Sequence, residues 1–185
     1  MSRVLTFSRV FPSYHPRAGE PTYFIEKIYN FLFGHFGIVI SFTKLCELNP
    51  DVSKETLFAF HTSIERGNTD IKNHTIRAGH RFKKGDSFSP RVWSGKPYTT
   101  KQIIISPDIK IPKTFDFEVD GCGIMSMALP GEQLKYLDED VDKTIAHNDG
   151  LEYNDFIDWI VLPHYIKTKD SGPMQIICWN ENINY

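Results

Sequence analysis

Short runs of β-branched and aromatic residues recur along this chain at unequal spacing, with helical periodicity between some of them. Ile38-Val39-Ile40-Ser41-Phe42, His74-Thr75-Ile76-Arg77, Ser87 to Trp93, Gln102-Ile103-Ile104-Ile105, Phe115 to Val119 and Met174 to Trp179 read as strands or extended pieces. Phe24, Ile28, Phe31 and Leu32 recur at helical spacing after Pro21-Thr22, with Gly34 as the expected stop. A second amphipathic run extends from Glu55 to Glu65 and ends near Gly67 and Asn68. Parallel strands joined by crossover helices would alternate evenly, and this pattern does not. The expected class is α+β.

Punctuation residues divide the runs. Asn49-Pro50-Asp51 breaks the chain, and Lys84-Gly85-Asp86 and Ser94-Gly95-Lys96-Pro97 read as turns. Pro107 and Pro112 confine the region after Gln102 to edge or bent strands. Phe115-Asp116-Phe117-Glu118-Val119 alternates apolar and polar, as a half-exposed strand does. Beyond the acidic Leu137-Asp138-Glu139-Asp140, the tripeptide Asn148-Asp149-Gly150 reads as the opening of a helix. Asp149 or Asn154 would cap it, and Phe156, Ile157, Trp159 and Ile160 would supply its apolar contacts.

Composition narrows the function classes. Of 185 residues, 41% are hydrophobic and 14% aromatic, enough apolar surface to exclude a disordered chain. The formal charge of −2 excludes a protein that coats duplex nucleic acid by charge, leaving a local basic patch or a single-nucleotide pocket. Cys46, Cys122 and Cys178 are odd in number and far apart, so neither a disulfide framework nor a zinc site is expected. Each is expected as a small apolar residue in a reducing compartment. The apolar stretch from Tyr23 to Phe42 carries Glu26, Lys27, Asn30 and His35, which argues against a membrane span. The start, Met1 to Phe7, lacks a signal-peptide layout, so a cytoplasmic protein without membrane association is expected.

Two blocks carry a family resemblance. Lys72-Asn73-His74-Thr75-Ile76-Arg77, followed by Phe82-Lys83-Lys84-Gly85-Asp86, resembles the signature of the ASCH family within the PUA-like superfamily. Ala146-His147-Asn148-Asp149-Gly150-Leu151, followed by Asp155-Phe156 and Trp159-Ile160, resembles the family's helix with an acidic residue at its start, and Gln175 to Trp179 its closing barrel strand. The resemblance implies a single ASCH-like domain over residues 1–185, with insertions around 35–70 and 120–140. It implies a PUA-like small mixed β-barrel with flanking helices, acting without metal or cofactor. The implied partner is a nucleoside, nucleotide or single-stranded RNA.

One branch of that family removes an acetyl group from the exocyclic amine of acetylated cytidine with a Lys, a Thr and a Glu. Carried over, these fall on Lys72, Thr75 and Asp149; Asn73 stands where the family has Thr, and Asp149 is one methylene shorter than Glu. Amide hydrolysis needs a nucleophile, a base and a proton donor, and these residue types supply them. Residues three apart on a strand face opposite ways, so Lys72 shares a cleft with Thr75 only from the loop before the strand or across a bulge. Thr75 and Arg77 share a face, and the Arg77 fork suits phosphate or carboxylate. His74, pointing oppositely, and His80 with Lys84 beside the turn are candidate ligand contacts, and Trp93 is a surface on which a base could stack. A non-catalytic RNA-binding module and a metal-independent ribonuclease are the alternatives.

Overall fold

The computed structural model describes residues 2–64, 68–163 and 173–185, and the protein is α+β. In chain order its elements are β1 (Arg3–Thr6), α1 (Phe24–Phe36), α2 (Phe42–Leu48), α3 (Lys54–Thr62), β2 (His74–Ala78), β3 (Ser87–Trp93), β4 (Gln102–Ile104) and β5 (Ile109–Lys110). There follow β6 (Lys113–Val119), β7 (Met125–Ala128), β8 (Lys135–Tyr136), α4 (Glu139–Asn148), α5 (Tyr153–Phe156), a π-helical turn (Ile157–Val161) and β9 (Met174–Cys178). The chain gathers into two compact units. Unit 1 comprises Met1–Phe11, Glu20–Ile71 and Ser87–Lys110; unit 2 comprises Pro12–Gly19, Lys72–Asp86 and Ile111–Tyr185. The described strands form two open sheets and no closed barrel.

In unit 1, β3 pairs with β1 in parallel and with β4 and β5 antiparallel. Alternate residues of β3 divide its faces: Phe88 and Val92 point into the core with Leu5, Phe7 and Ile103, while Arg91 and Trp93 point away. Ile28 and Phe31 of α1, Leu45 of α2 and Leu57 of α3 fill the same apolar interior.

Three sequence expectations need correction. Helix α1 runs through Gly34 and stops at Gly37, whose φ of +64° is cheap for glycine and whose N–H reaches the Leu32 and Phe33 carbonyls. Ile38 to Phe42 is not a strand. Val39 is 67% exposed with no strand beside it, and the Ser41 hydroxyl accepts the Lys44 N–H at 3.2 Å, so Phe42 opens α2 instead. The run to Glu65 forms α3 as far as Thr62; Glu65 and Gly67 lie outside the described residues.

Unit 2 holds a five-stranded antiparallel sheet in the order β2-β9-β6-β7-β8. Ile76, Ile176 and Phe115 lie in register on one face, and Thr75, Ile177 and Thr114 on the other. The third correction concerns the helix expected to open at Asn148. Instead α4 ends there. The acidic run before it supplies the cap: Asp138 Oδ1 accepts the Val141 N–H at 2.9 Å, and Glu139 and Asp140 favour the positive N-terminal end. Asp149 is therefore the C-cap of α4, and Gly150, at φ +77°, turns the chain toward α5. The segment Pro12–Gly19 joins unit 2 through Arg17, whose guanidinium lies 2.5 Å from Asp155 Oδ2.

Candidate functional site

Strand β2 begins at His74, which leaves Lys72 and Asn73 in the approach to it. Main-chain bonds lock that approach in place. The Asn73 N–H donates to the Asn148 carbonyl at 2.8 Å, the Trp179 N–H donates to the Asn73 carbonyl at 3.1 Å, and the Trp179 indole donates to the Lys72 carbonyl at 2.7 Å. Trp179 is thus a buried anchor.

The Lys72 side chain is wholly buried, and its ammonium stands 2.9 Å from Asp149 Oδ1 while donating to the Asp149 main-chain carbonyl. Among the described residues that carboxylate oxygen accepts no hydrogen bond, so its contact with the ammonium is one of charge against charge. The ammonium also sits at the C-terminal end of α4, where the helix dipole favours a cation. A charge withdrawn from water is tolerated when it is paired, and both members are here.

Thr75 is 3% exposed on β2, and among the described residues nothing hydrogen-bonds its hydroxyl. Arg77 shares its face and is half-buried, in register with Gln175 and Asp116 on the neighbouring strands. Burial lowers the Arg77 pKa and the Asp149 charge opposes that, which puts Arg77 within electrostatic reach of the pair. Gln175 clasps the following loop, accepting the Phe82 N–H at 3.1 Å and donating to the Phe82 carbonyl at 2.7 Å. His80 Nδ1 lies 3.4 Å from Asp116 Oδ1, and Lys84 is exposed in the turn completed by Gly85 at φ +93°. Trp93 belongs to unit 1. The structure thus joins Lys72 to Asp149 and sets Thr75 and Arg77 on one face of β2.

His74 is not presented to a ligand. It is fully buried, and Nε2, 2.9 Å from the Ile145 carbonyl, must carry the proton it donates. Burial drives its pKa down to about 4, the Lys72 charge acting the same way and Asp149 and the Ile145 carbonyl opposing. The ring is neutral at pH 7.

A directional chain of hydrogen bonds surrounds this histidine, made of residues that sequence reasoning did not gather. Asn180 Nδ2 donates to Asn73 Oδ1 at 2.9 Å, Asn73 Nδ2 to Asn148 Oδ1 at 2.9 Å, and Asn148 Nδ2 to the Tyr185 hydroxyl at 3.3 Å. The Tyr185 hydroxyl lies 3.5 Å from His74 Nδ1, which, with the proton on Nε2, accepts from it. Burial raises the Tyr185 pKa well above the ordinary phenol value, so the hydroxyl keeps its proton. The same chain accounts for an asparagine at position 73. Its amide donates to Asn148 while accepting from Asn180, a span that a shorter hydroxyl cannot cover. No periodicity could have announced Asn180 or Tyr185.

The three cysteines are free: Cys178 is buried with its thiol pushed up to about 12, Cys46 is half-buried, and Cys122 is exposed. His147 is exposed on α4, and no cluster of three or more potential metal ligands occurs among the described residues. Among those residues no helix is long and apolar enough to cross a membrane.

A buried amine beside a carboxyl can between them take a proton from a hydroxyl and give one to a leaving amine. No protein-family model matches the chain, nor does any curated protein or solved structure.

Proposed function

We propose that the chain is an ASCH-like, PUA-like protein that hydrolyses an acyl group from the exocyclic amine of a modified cytosine base. The observation that carries this reading is the wholly buried Lys72 ammonium 2.9 Å from Asp149, immediately ahead of the strand that bears Thr75. With Lys72 acting as the neutral amine and Asp149 as the acid, the amine accepts the Thr75 proton as Oγ bonds to the acyl carbon. Asp149 then protonates the leaving amine, and the carbon–nitrogen bond breaks to leave an ester on Thr75. Water attacks that ester and gives its proton to Asp149; Lys72 returns a proton to Thr75 Oγ, and the carboxylic acid leaves. Arg77, on the Thr75 face, holds an anionic part of the substrate.

The test is release of acetate from acetylated cytidine by the purified chain. Wild type turns it over, and Thr75→Val loses activity by about a thousandfold or more, as loss of a nucleophile does. Untouched substrate, or a Thr75→Val protein as active as wild type, ends the reading. A second reading, RNA binding without turnover, draws on the complete withdrawal of Lys72 from solvent, as in a structural pair. It is favoured if short single-stranded RNA binds equally to wild type and Thr75→Val while neither hydrolyses the acetylated base.

A further inference from the structure

Unit 1 contains a cleft of about 530 Å³ that the reading above does not use. Its floor is the outward face of the β3–β4 hairpin, where Arg91 pairs with Ile104 and Trp93 with Gln102. Its wall is the turn after α2, Asn49-Pro50-Asp51-Val52. The two are stitched together. Asn49 Oδ1 accepts the Ile104 N–H at 2.7 Å and Asn49 Nδ2 donates to the Ile104 carbonyl at 2.9 Å, so one side-chain amide does for the β4 edge what a neighbouring strand would do. Lys101 Nζ donates to the Asp51 carbonyl and closes the other end.

The lining carries recognition groups with spare capacity. Arg91 is half-buried and spends only Nε, on Ser89 Oγ at 3.3 Å, leaving its two terminal nitrogens without a partner among the described residues. Lys101 retains two further N–H donors, and the cleft lining thus carries two cations against one carboxylate, that of Asp51. Beside them lies the Trp93 indole, with the Tyr98 ring 5.3 Å away. Tyr98 is 89% exposed and sits at φ +64°, a conformation unfavourable for any residue but glycine. The hairpin tip holds it there through the Ser94 N–H on the Lys101 carbonyl at 2.9 Å and the Gly95 N–H on Thr100 Oγ1 at 3.1 Å. A strained, exposed aromatic beside an indole, with an unspent guanidinium on the same face, is recognition chemistry for a planar ring bearing an anion.

We infer that unit 1 carries a second ligand site, for a nucleoside monophosphate, with the base on Trp93 and the phosphate on Arg91 and Lys101. The cleft volume falls within the range of about 300–1,000 Å³ usual for small-molecule sites. A phosphate monoester, with charge near −2 at neutral pH, matches two cations better than a carboxylate does. The site stands on unit 1 alone and is independent of the roles given to Lys72, Thr75 and Asp149.

Calorimetric titration of the full chain with UMP, AMP, uridine and inorganic phosphate tests it. Saturable binding of UMP or AMP is expected, with uridine and inorganic phosphate each weaker by about tenfold or more. Arg91→Gln weakens nucleotide binding by about tenfold and Trp93→Ala by about ten- to a hundredfold, while Thr75→Val leaves it unchanged. Arg91 is on the surface of the hairpin, so Arg91→Gln keeps the test sound if Trp93→Ala fails to fold. Absence of saturation at millimolar nucleotide overturns the site, as does inorganic phosphate binding as tightly as UMP. Binding that survives Arg91→Gln but is lost in Thr75→Val overturns it too, and assigns the nucleotide to unit 2.

Discussion

Phe88 in unit 1 and Lys72 in unit 2 are both withdrawn completely from solvent, yet different physics holds each in place. Phe88 lies beside Phe7, ring centroids 6.4 Å apart, and in register with Ile109, where any apolar group of fitting shape gains the same transfer free energy. Lys72 is held by the identity of its partner, Asp149, and the side chains nearby continue the theme: Asn73, His74, Asn148 and Asn180 are all buried and all hydrogen-bonded. An interior filled by shape tolerates substitution by volume. An interior filled by partners tolerates it only in matched sets, because one missing member leaves another group desolvated and unpaired.

The largest expected contrast uses two swaps that roughly conserve volume. Phe88→Leu costs less than about 1.5 kcal/mol by urea unfolding. Lys72→Met costs about 3–5 kcal/mol, because it leaves the Asp149 carboxylate buried alone. The double variant Lys72→Met/Asp149→Leu restores most of that loss. If Lys72→Met is as mild as Phe88→Leu, the two interiors do not differ in kind.

Acid sharpens the contrast next. The folded state holds His74 near 4 against its ordinary value of 6.5, so the unfolded chain binds the extra proton between those values. The His74 contribution is complete above about pH 6.5 and lost as pH falls toward 4, by about 3 kcal/mol in all. His74→Gln, which keeps a donor for the Ile145 carbonyl, flattens that limb of the stability curve. Asn73→Thr follows, expected to cost about 2 kcal/mol by stranding the amides of Asn148 and Asn180.

The smallest effect has the opposite sign. Asp142 is buried in α4 with an oxygen that finds no hydrogen-bond partner among the described residues, and burial, with Asp138 and Glu139, raises its pKa to about 6. A raised carboxyl favours folding only while protonated, so its contribution falls away as pH rises through 6. Asp142→Asn gains about 1 kcal/mol at pH 8, after allowance for solvent screening, and nothing at pH 3.

The strands β3, β6 and β9 were legible because alternation and β-branched runs leave a direct mark on composition, and α1 because its apolar stripe repeats at helical spacing. Helix α4 was not, since only Val141, Ile145 and Ala146 interrupt its charged and polar residues, and its start is written in the Asp138 cap. Ile38 to Phe42 misled because β propensity has no outlet without a strand alongside, and a single serine cap redirected it. At the site, strand parity left Lys72 either in the loop before β2 or across a bulge, and the structure has the loop; pairing it with Asp149 came from the family resemblance. The amide chain from Asn180 to His74 left no trace, because complementary donors and acceptors have no spacing rule.

The chain passes from one unit to the other after Phe11, Gly19, Ile71, Asp86 and Lys110, so each unit is sewn from separate lengths of polypeptide. No single cut yields either one intact. A fragment ending at Lys110 lacks β6, β7 and β9, and one beginning at Lys72 lacks β1 and all of α1 to α3. Each unit then depends on the ribosome having delivered segments far apart in synthesis, and scission in an exposed loop compromises both.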